Sequence, residues 1–330
     1  MCSSNKLWAG MLLFLIALLP ASSRQRFIRP PFIHRGDTVA IISPASPLSA
    51  GKHVFADSVL RSWGLVPVRS GFIPSQAYRK EFSGTEKERL SDLLWAFRNK
   101  NVKAIICSRG GYGLIRMLDS IPEHTYRDNP KWLVGFSDIS NLLCQMAARR
   151  VMSIHGAMYS SFKLNEGKDS TCTLMRDLLF GNIPHYSLFP HSLNHCGEVT
   201  GRLVGGNLST FYPLVGTRHD PFRTHDNVIL FIEEVEESFH NIDRMINVLR
   251  LHGVLDKVKG IIVGDFTKCP ADLDYGSVCE MLDEYFAPLH IPVCYNFPGG
   301  HDKVNLPLII GANTRLSVTA GGTQISFDLR

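Results

Sequence analysis

The chain has 330 residues, of which 45% are hydrophobic and 20% are charged, and it carries a formal net charge of +5. This is the composition of a globular protein that is long enough to bury two hydrophobic cores. The surplus of positive charge is small and is not gathered into runs, so the sequence gives no support to nucleic-acid binding.

The first 23 residues differ from the rest of the chain. Lys6 precedes an apolar segment from Leu7 to Leu19, and the small residues Ala21, Ser22 and Ser23 follow it. This segment is shorter than the roughly 20 residues that a membrane span needs, and the pattern is typical of a secretory signal peptide. We therefore expect residues 1–23 to be a signal peptide and the protein to be exported or periplasmic. A membrane anchor formed by an uncleaved signal and a cytoplasmic location are the alternatives.

The cysteines indicate neither a disulfide framework nor a zinc site. Seven remain beyond Cys2, an odd number, and none forms a C-x-x-C pair. Cys107 and Cys294 fall in apolar, strand-like runs, where cysteine behaves as a small hydrophobic residue. We expect no metal and no cofactor.

Strands alternate with helices through the first half of the chain. Apolar runs and amphipathic periodicity distinguish the two. The predicted strands are 37–42, 66–68, 102–107, 132–134 and 151–155; the predicted helices are 54–63, 86–99, a stretch from the glycine loop through Met117, and 138–144. This alternation predicts a mostly parallel, Rossmann-like sheet whose sites lie beyond the carboxyl ends of its strands.

The second half repeats the alternation after an irregular stretch. Between Gly181 and Gly197 the sequence changes to Pro, His, Ser and Asn without periodicity. This predicts a linker, 186–197, between an N-terminal domain, 24–185, and a smaller α/β domain, 198–330. The later predicted strands are 227–232, 258–263 and 293–296, the helices are about 239–251 and 278–286, and the last thirty residues look like a hairpin at a sheet edge. We therefore predict a two-domain α/β protein.

A serine stands at a sharp corner between a strand and a helix. Trp132 to Val134 is a buried-strand pattern and Asp138 to Cys144 has helical spacing, so Gly135 to Asp138 is the turn. Ser137 would present its hydroxyl at the end of the strand, beside the free N–H groups of the next helix. A helix cap formed by Ser137 or Asp138 is the plainer alternative. The familiar G-x-S-x-G pattern fails, because Ile139 occupies the second glycine position.

The sequence SRGGYG, from Ser108 to Gly113, follows the strand at 102–107. Arg116 stands where a dinucleotide fingerprint needs its third glycine, and the phosphate-binding lysine of a P-loop is missing, so neither cofactor motif fits. Glycines after a strand also expose backbone N–H groups to a ligand. One of these could stabilise an oxyanion together with the Asp138 N–H.

Two further candidates follow strands of the second half. Glu233 and Glu234 end the apolar strand VILFIEE, where carboxylates are rare unless they are paired or used. His301 follows Pro298-Gly299-Gly300 after another strand. A serine nucleophile needs an imidazole to take its proton and a carboxylate to orient that imidazole. By residue type alone, His155, His195 and His240 compete with His301. The exit of the strand into solvent is the open alternative for the two glutamates.

Nearly the whole chain beyond the predicted signal peptide resembles the LD-carboxypeptidase family, the serine peptidases that include muramoyltetrapeptide carboxypeptidase and the microcin C self-immunity protein. The resemblance is carried in order by PPFIHRGDTVAIISPASP at Pro30, SRGGYG at Ser108, NPKWLVGFSDIS at Asn129, GRLVGGNLS at Gly201, LFIEEVEESFHNIDRM at Leu230 and FPGGHDKVNLPLIIG at Phe297. It implies that Ser137 is the nucleophile, Glu233 the orienting acid and His301 the base. It also implies an oxyanion hole formed by Asp138 and Gly111, with Gly110 as the alternative to Gly111.

The same resemblance implies a function and an architecture. The active site is expected in the cleft between the two domains, and the reaction is release of the terminal D-alanine from a peptidoglycan tetrapeptide. Alternatives are hydrolysis of a peptidyl-nucleotide antibiotic, as in the immunity branch, and an inert exported protein that binds muropeptides. Arg109, beside the glycine loop, is the candidate that holds the substrate carboxylate. The expected partners are a peptidoglycan-derived peptide and a second copy of the chain in a homodimer.

Overall fold

The computed structural model describes residues 26–48, 52–71, 78–79, 81–223, 227–270 and 275–330. The predicted signal peptide, 1–23, lies outside the described residues. Across these ranges, no helix combines the length and apolar character needed to cross a membrane. The chain forms two sheets flanked by helices, so the predicted two-domain α/β fold is confirmed.

The first sheet has six strands in the order β11-β5-β4-β3-β1-β2. Its strands are β1 (Thr38–Ile42), β2 (Val66–Val68), β3 (Val102–Cys107), β4 (Trp132–Gly135), β5 (Ser153–His155) and β11 (Leu308–Ile310). All neighbours pair in parallel except β11, which runs antiparallel to β5. The sheet is buried on both faces, which is why β3 and β4 are nearly continuous apolar runs.

Helices cover both faces of this sheet. They are α1 (Lys52–Ser62), α2 (Glu86–Arg98), α3 (Thr125–Asp128), α4 (Ser140–Ala148) and α5 (Ser170–Leu179). A capping box between Thr85 and Glu88 sets the start of α2. Side chains of alternate residues along the strands pack against the helices on opposite faces and form two hydrophobic clusters.

The predicted helix after the glycine loop is wrong. The chain instead makes two short 3-10 turns, Leu114–Arg116 and Leu118–Ser120. Leu114 and Met117 are both buried, and a 3-10 turn aligns residues three apart on one side. The start of the first turn is also fixed from outside, because the Leu114 N–H donates to Asp138 Oδ2 at 3.0 Å.

The second sheet has seven strands in the order β10-β9-β8-β7-β12-β13-β6. They are β6 (Tyr186–Leu188), β7 (Gly197–Asn207), β8 (Val228–Val235), β9 (Val258–Thr267), β10 (Val293–Cys294), β12 (Asn313–Thr319) and β13 (Gly322–Asp328). The helices α6 (Leu208–Phe211), α7 (Phe239–Leu251), α8 (Val254–Lys257) and α9 (Val278–Phe286) connect the strands. β7 to β10 are parallel, and the predicted C-terminal hairpin is present as β12 and β13.

Two segments tie the sheets together more closely than the sequence indicates. The predicted linker at 186–197 includes β6, which pairs with β13 at the edge of the second sheet. After β10 the chain leaves the second sheet and enters the first as β11. The segment 295–307 therefore crosses from one sheet to the other, and it carries His301.

Candidate active site

Ser137 lies at a strained corner. β4 ends at Gly135, and Ser137 opens a 3-10 turn, Ser137–Ile139, that leads into α4. Its φ is +62°, a conformation that costs a residue other than glycine about 1–3 kcal/mol unless the surroundings enforce it. Neither turn nor helix has a side-chain cap, so the helix-cap alternative is wrong. Within the described residues, the Ser137 hydroxyl makes no hydrogen bond.

The second domain supports this corner from behind. Thr210 Oγ1 donates to the Ser137 carbonyl oxygen at 3.3 Å, and the Asn207 N–H donates to Ser140 Oγ at 3.0 Å. A Cβ at Gly206 would lie 2.5 Å from the same Ser140 oxygen, so only glycine fits there. These contacts account for Gly206 and Asn207 in the motif GRLVGGNLS: they pack the second domain against the start of the helix that follows Ser137.

The glycine loop lies against Ser137. A Cβ at Gly110 would lie 2.7 Å from Ser137 Cβ and 2.9 Å from its Oγ. The Ser46 N–H donates to the Gly110 carbonyl at 3.3 Å, and the Tyr112 N–H donates to Ser46 Oγ at 3.3 Å. Gly111 has φ +117°, and a Cβ there would lie 2.0 Å from Ser46 Oγ. The loop thus needs glycine at both positions, and Ser46, which the sequence reasoning did not single out, holds it from the other side.

Asp138 joins the nucleophile turn to the glycine loop. Its carboxylate accepts from the Leu114 N–H and from Asn141 Nδ2, both at 3.0 Å. Burial raises the pKa of Asp138 to about 6, opposed by these two hydrogen bonds and by the positive charge of Arg89. The side chain of Asp138 therefore positions the loop, while its backbone N–H remains available for an oxyanion.

Glu233 and His301 form a buried pair. Glu233 Oε2 accepts from His301 Nδ1 at 2.7 Å; the Glu233 side chain is 0% exposed and that of His301 is 17% exposed. Burial lowers the pKa of His301, but the hydrogen bond and negative charge of Glu233, with Glu234 and Glu236 behind it, outweigh burial and leave the pKa raised. The His301 ring packs edge-on against Phe136, the residue before Ser137, with ring centroids 5.0 Å apart.

The adjacent Glu234 has different partners. Its carboxylate accepts from Asn207 Nδ2 at 2.9 Å, from the N–H groups of Ser209 at 2.6 Å and Val235 at 2.9 Å, and from Ser209 Oγ. Burial raises the pKa of Glu234 against these hydrogen bonds. The alternation of side chains along β8 thus sends one glutamate to His301 and the other to the loop at 207–209.

A third carboxyl group stands near this pair. A Cβ at Gly300 would lie 2.9 Å from Glu233 Oε2 and 3.3 Å from Asp265 Cβ, so the two acids flank the backbone before His301. Burial first, and then the charges of Asp302 and Glu233, raise the pKa of Asp265 to about 7. Nothing in the sequence singled out Asp265, since it lies near the end of the long strand β9.

The competing histidines have other roles. His195 Nε2 pairs with Asp283 at 2.8 Å, the His240 ring packs on Phe239, and His155 Nε2 contacts Asn305 Oδ1 at 3.1 Å. Of the four candidates, His301 alone bonds to Glu233. In the described ranges, no hydrogen bond joins Ser137 Oγ to His301 Nε2; such bonds are often long without substrate and tighten when it binds.

Arg109 is half-buried beside Gly110 and has no ion pair or hydrogen bond to any described residue. Three other arginines of this domain have partners. Arg69 pairs with Asp57 and Arg116 with Glu86, and Arg89 donates to the carbonyl groups of Pro44 and Gly113. Among the residues that the structure describes, Arg109 is therefore a cation beside the glycine loop with no ion-pair or hydrogen-bond partner. No cluster of three or more His, Cys, Asp and Glu side chains is placed to hold a metal in the part of the chain that the structure describes.

Comparison with known families shows which protein family the chain belongs to. The family models for the LD-carboxypeptidase N-terminal and C-terminal domains match residues 39–156 and 200–316. The chain belongs to the LD-carboxypeptidase family. It is a serine-type hydrolase of that family. A putative carboxypeptidase of Synechocystis sp. is 35% identical over 91% of this chain and 98% of its own length. A probable murein peptide carboxypeptidase of Bacillus subtilis is 32% identical over 90% and 93%.

Solved structures of the family have the same fold. The muramoyltetrapeptide carboxypeptidase from Oxalobacter formigenes superposes with a TM-score of 0.79 at 26% identity, covering 88% of this chain and 98% of that one. The microcin C7 self immunity protein MccF superposes with a TM-score of 0.76 at 21% identity, covering 91% and 98%. At that identity the second likeness is one of fold alone.

Proposed function

We propose that this LD-carboxypeptidase releases the terminal D-alanine from peptidoglycan tetrapeptides, cutting the bond after the L-centre of the diamino acid. The observation that carries the proposal is the buried pair of Glu233 and His301, whose imidazole packs on the residue before Ser137. That serine is strained, and its hydroxyl makes no hydrogen bond to any described residue. The names of relatives that act on murein peptides support the substrate class.

Ser137 Oγ attacks the carbonyl carbon of the diamino acid residue while His301 Nε2 takes its proton. Glu233 accepts from Nδ1–H, which fixes the tautomer with a free Nε2, and its negative charge stabilises the imidazolium that forms. The imidazolium then gives its proton to the nitrogen of D-alanine, the C–N bond breaks, and the tripeptide remains as an ester on Ser137. Water activated by neutral His301 hydrolyses that ester and restores the serine.

The oxyanion would be held by the N–H groups of Asp138 and Gly111. The Gly110 carbonyl is turned towards Ser46 by its hydrogen bond, and in a trans peptide the next N–H points the opposite way. The Gly111 N–H therefore points away from Ser46. We infer that Gly111 rather than Gly110 supplies the second donor. Two backbone donors held in place before reaction cost no reorganisation in the transition state.

Arg109 is proposed to bind the terminal carboxylate of the substrate. A half-buried guanidinium with no partner among the described residues is costly to keep, and a planar carboxylate satisfies it through two parallel hydrogen bonds. Its place beside Gly110 puts this anchor two residues before Gly111, the proposed oxyanion donor. Arg109→Lys, which keeps the charge without the planar fork, should raise KM more than it lowers kcat.

Incubation of the purified protein with a tetrapeptide, followed by mass spectrometry, tests the proposal. The expected products are tripeptide and free D-alanine, and a matched tetrapeptide that ends in L-alanine should stay uncleaved. An aminoacyl sulfamoyl nucleoside serves as the competing substrate. If that compound is hydrolysed and the tetrapeptide is not, the enzyme belongs to the immunity type; if folded protein cleaves neither, the proposed activity is wrong.

A further inference from the structure

The loop that carries His301 is bonded to the end of β5 through the side chain of Asn305. Asn305 is 4% exposed, and its Oδ1 accepts from the Gly300 N–H and from His155 Nε2, both at 3.1 Å. A backbone N–H can only donate, so the oxygen of the Asn305 amide must face Gly300. His155 Nε2 must then carry the proton that it shares with the same oxygen.

His155 is also placed by the nucleophile strand. It ends β5, where it pairs with Gly135 of β4 on one side and with Leu308 of β11 on the other. Its ring packs on Phe136 and Phe231, with centroids 5.8 and 4.8 Å away. Burial lowers the pKa of His155 to about 3, against its hydrogen bond with Asn305, so the ring stays neutral and keeps its Nε2–H at working pH.

Stability alone does not account for this pair. His155 Nδ1 and Asn305 Nδ2 are both buried, and neither has a hydrogen-bond partner in the described part of the chain. Burying polar atoms without partners destabilises a fold, and an apolar pair of similar volume would avoid that cost. The pair therefore has a role other than stabilising the fold, and apolar side chains of similar volume would not fill that role.

We propose that His155 and Asn305, the positioning pair, hold the general base at the correct distance from the nucleophile. Gly135 stands two residues before Ser137, and Gly300 stands one residue before His301. A short, rigid connection therefore joins the two reacting side chains, and it runs through Gly135, His155, Asn305 and Gly300. The inference rests on the proposed function and deepens it. Neither member of the pair touches the reacting atoms; both act through the position of His301.

The test compares His155→Leu, which removes the donor, with His155→Gln, whose amide N–H can replace it. Asn305→Ala removes the acceptor, and Ser153→Ala is the matched control on the same face of β5, because the buried Ser153 hydroxyl has no partner among the described residues. A shift of about 1 Å in a catalytic group can cost about 10²-fold. We expect that loss in kcat for His155→Leu and Asn305→Ala, with KM within about twofold and recovery of most activity in His155→Gln.

The pH profile separates positioning from a change in the base itself. Because the bond between Glu233 and His301 stays intact, the acid limb of kcat/KM should keep its apparent pKa in both slow variants. Unchanged kcat in folded His155→Leu, a shifted acid limb, or a Ser153→Ala variant that is equally slow would each overturn the proposal. If Asn305→Ala does not fold, the two His155 variants decide.

A readout without substrate keeps this inference distinct from the proposed activity. Imidazole 15N spectra of the wild-type protein should show His155 as the neutral tautomer with its proton on Nε2. Finding the proton on Nδ1 would overturn the hydrogen-bond assignment whatever the substrate is. If the spectra show the expected tautomer and the protein releases no D-alanine, the hydrogen bond between His155 and Asn305 is supported and only the proposed function is rejected.

Discussion

Glu233→Gln removes the charge that faces His301 and keeps the shape of the side chain. Glu233 is fully buried and 2.7 Å from the imidazole, so solvent does not replace the lost charge. For charge centres about 4 Å apart at an effective dielectric constant of about 20, the interaction is about 4 kcal/mol. At about 1.36 kcal/mol per tenfold change in rate, the imidazolium loses stabilisation equal to about 10³ in kcat. The wrong tautomer adds to this, towards the roughly 10⁴-fold cost of the corresponding change in serine proteases.

Glu234→Gln is the matched control. Its oxygens bond to Asn207, Ser209 and Val235 and not to His301, so this variant should lower the melting temperature while kcat falls less than about tenfold. D-alanine release by both variants, measured after their melting temperatures are compared, gives the answer. An inactive Glu234→Gln beside a nearly wild-type Glu233→Gln would refute the assignment of the acid.

Three further predictions concern pH, the glycine loop and export. Because the pKa of His301 is raised and the neutral ring is the base, kcat/KM should rise with pH with an apparent pKa above 6.5; an acid limb with an apparent pKa at or below 6.5 contradicts this. Gly110→Ala should abolish turnover without unfolding the protein, since its methyl group would lie 2.7 Å from Ser137 Cβ; an active, folded variant contradicts the loop geometry. N-terminal sequencing of exported protein should find a chain that begins near Arg24, whereas intact Met1 on soluble cytoplasmic protein would exclude cleavage.

The sequence predicts those parts of the fold whose residue pattern lies within a single helix or strand. The strand VKAIIC and the helix that begins at Glu86 appear close to their predicted bounds, because apolar runs and amphipathic spacing are read within one element. The strands β6 and β11 were missed, because each is three residues long and is defined by partners far away in the sequence. The turn at Leu114–Arg116 was predicted as helix, since buried residues three apart fit either period.

Some residues of the candidate site could be predicted from the sequence and others could not. The turn at Ser137, the glycine loop and the residues that follow strands are visible in the sequence because each changes the local pattern. The choice of His301 over His155 as the base is not visible in the sequence, since the residues around a histidine that follows a strand do not show which side chain it contacts. Ser46, Asp265 and Asn305 were missed for that reason: their contacts join segments more than thirty residues apart, or depend on a loop whose path follows from the crossing between the sheets.

The covalent role of Ser137 is tested most directly by trapping the acyl-enzyme. Rapid acid quenching during tetrapeptide turnover, followed by peptide mapping, should find the tripeptidyl group on the peptide that contains Ser137. Ser137→Ala should show no adduct and lose about 10⁶-fold in kcat, as nucleophile removal does in subtilisin. A folded Ser137→Ala protein that retains a tenth of wild-type D-alanine release would contradict the covalent mechanism.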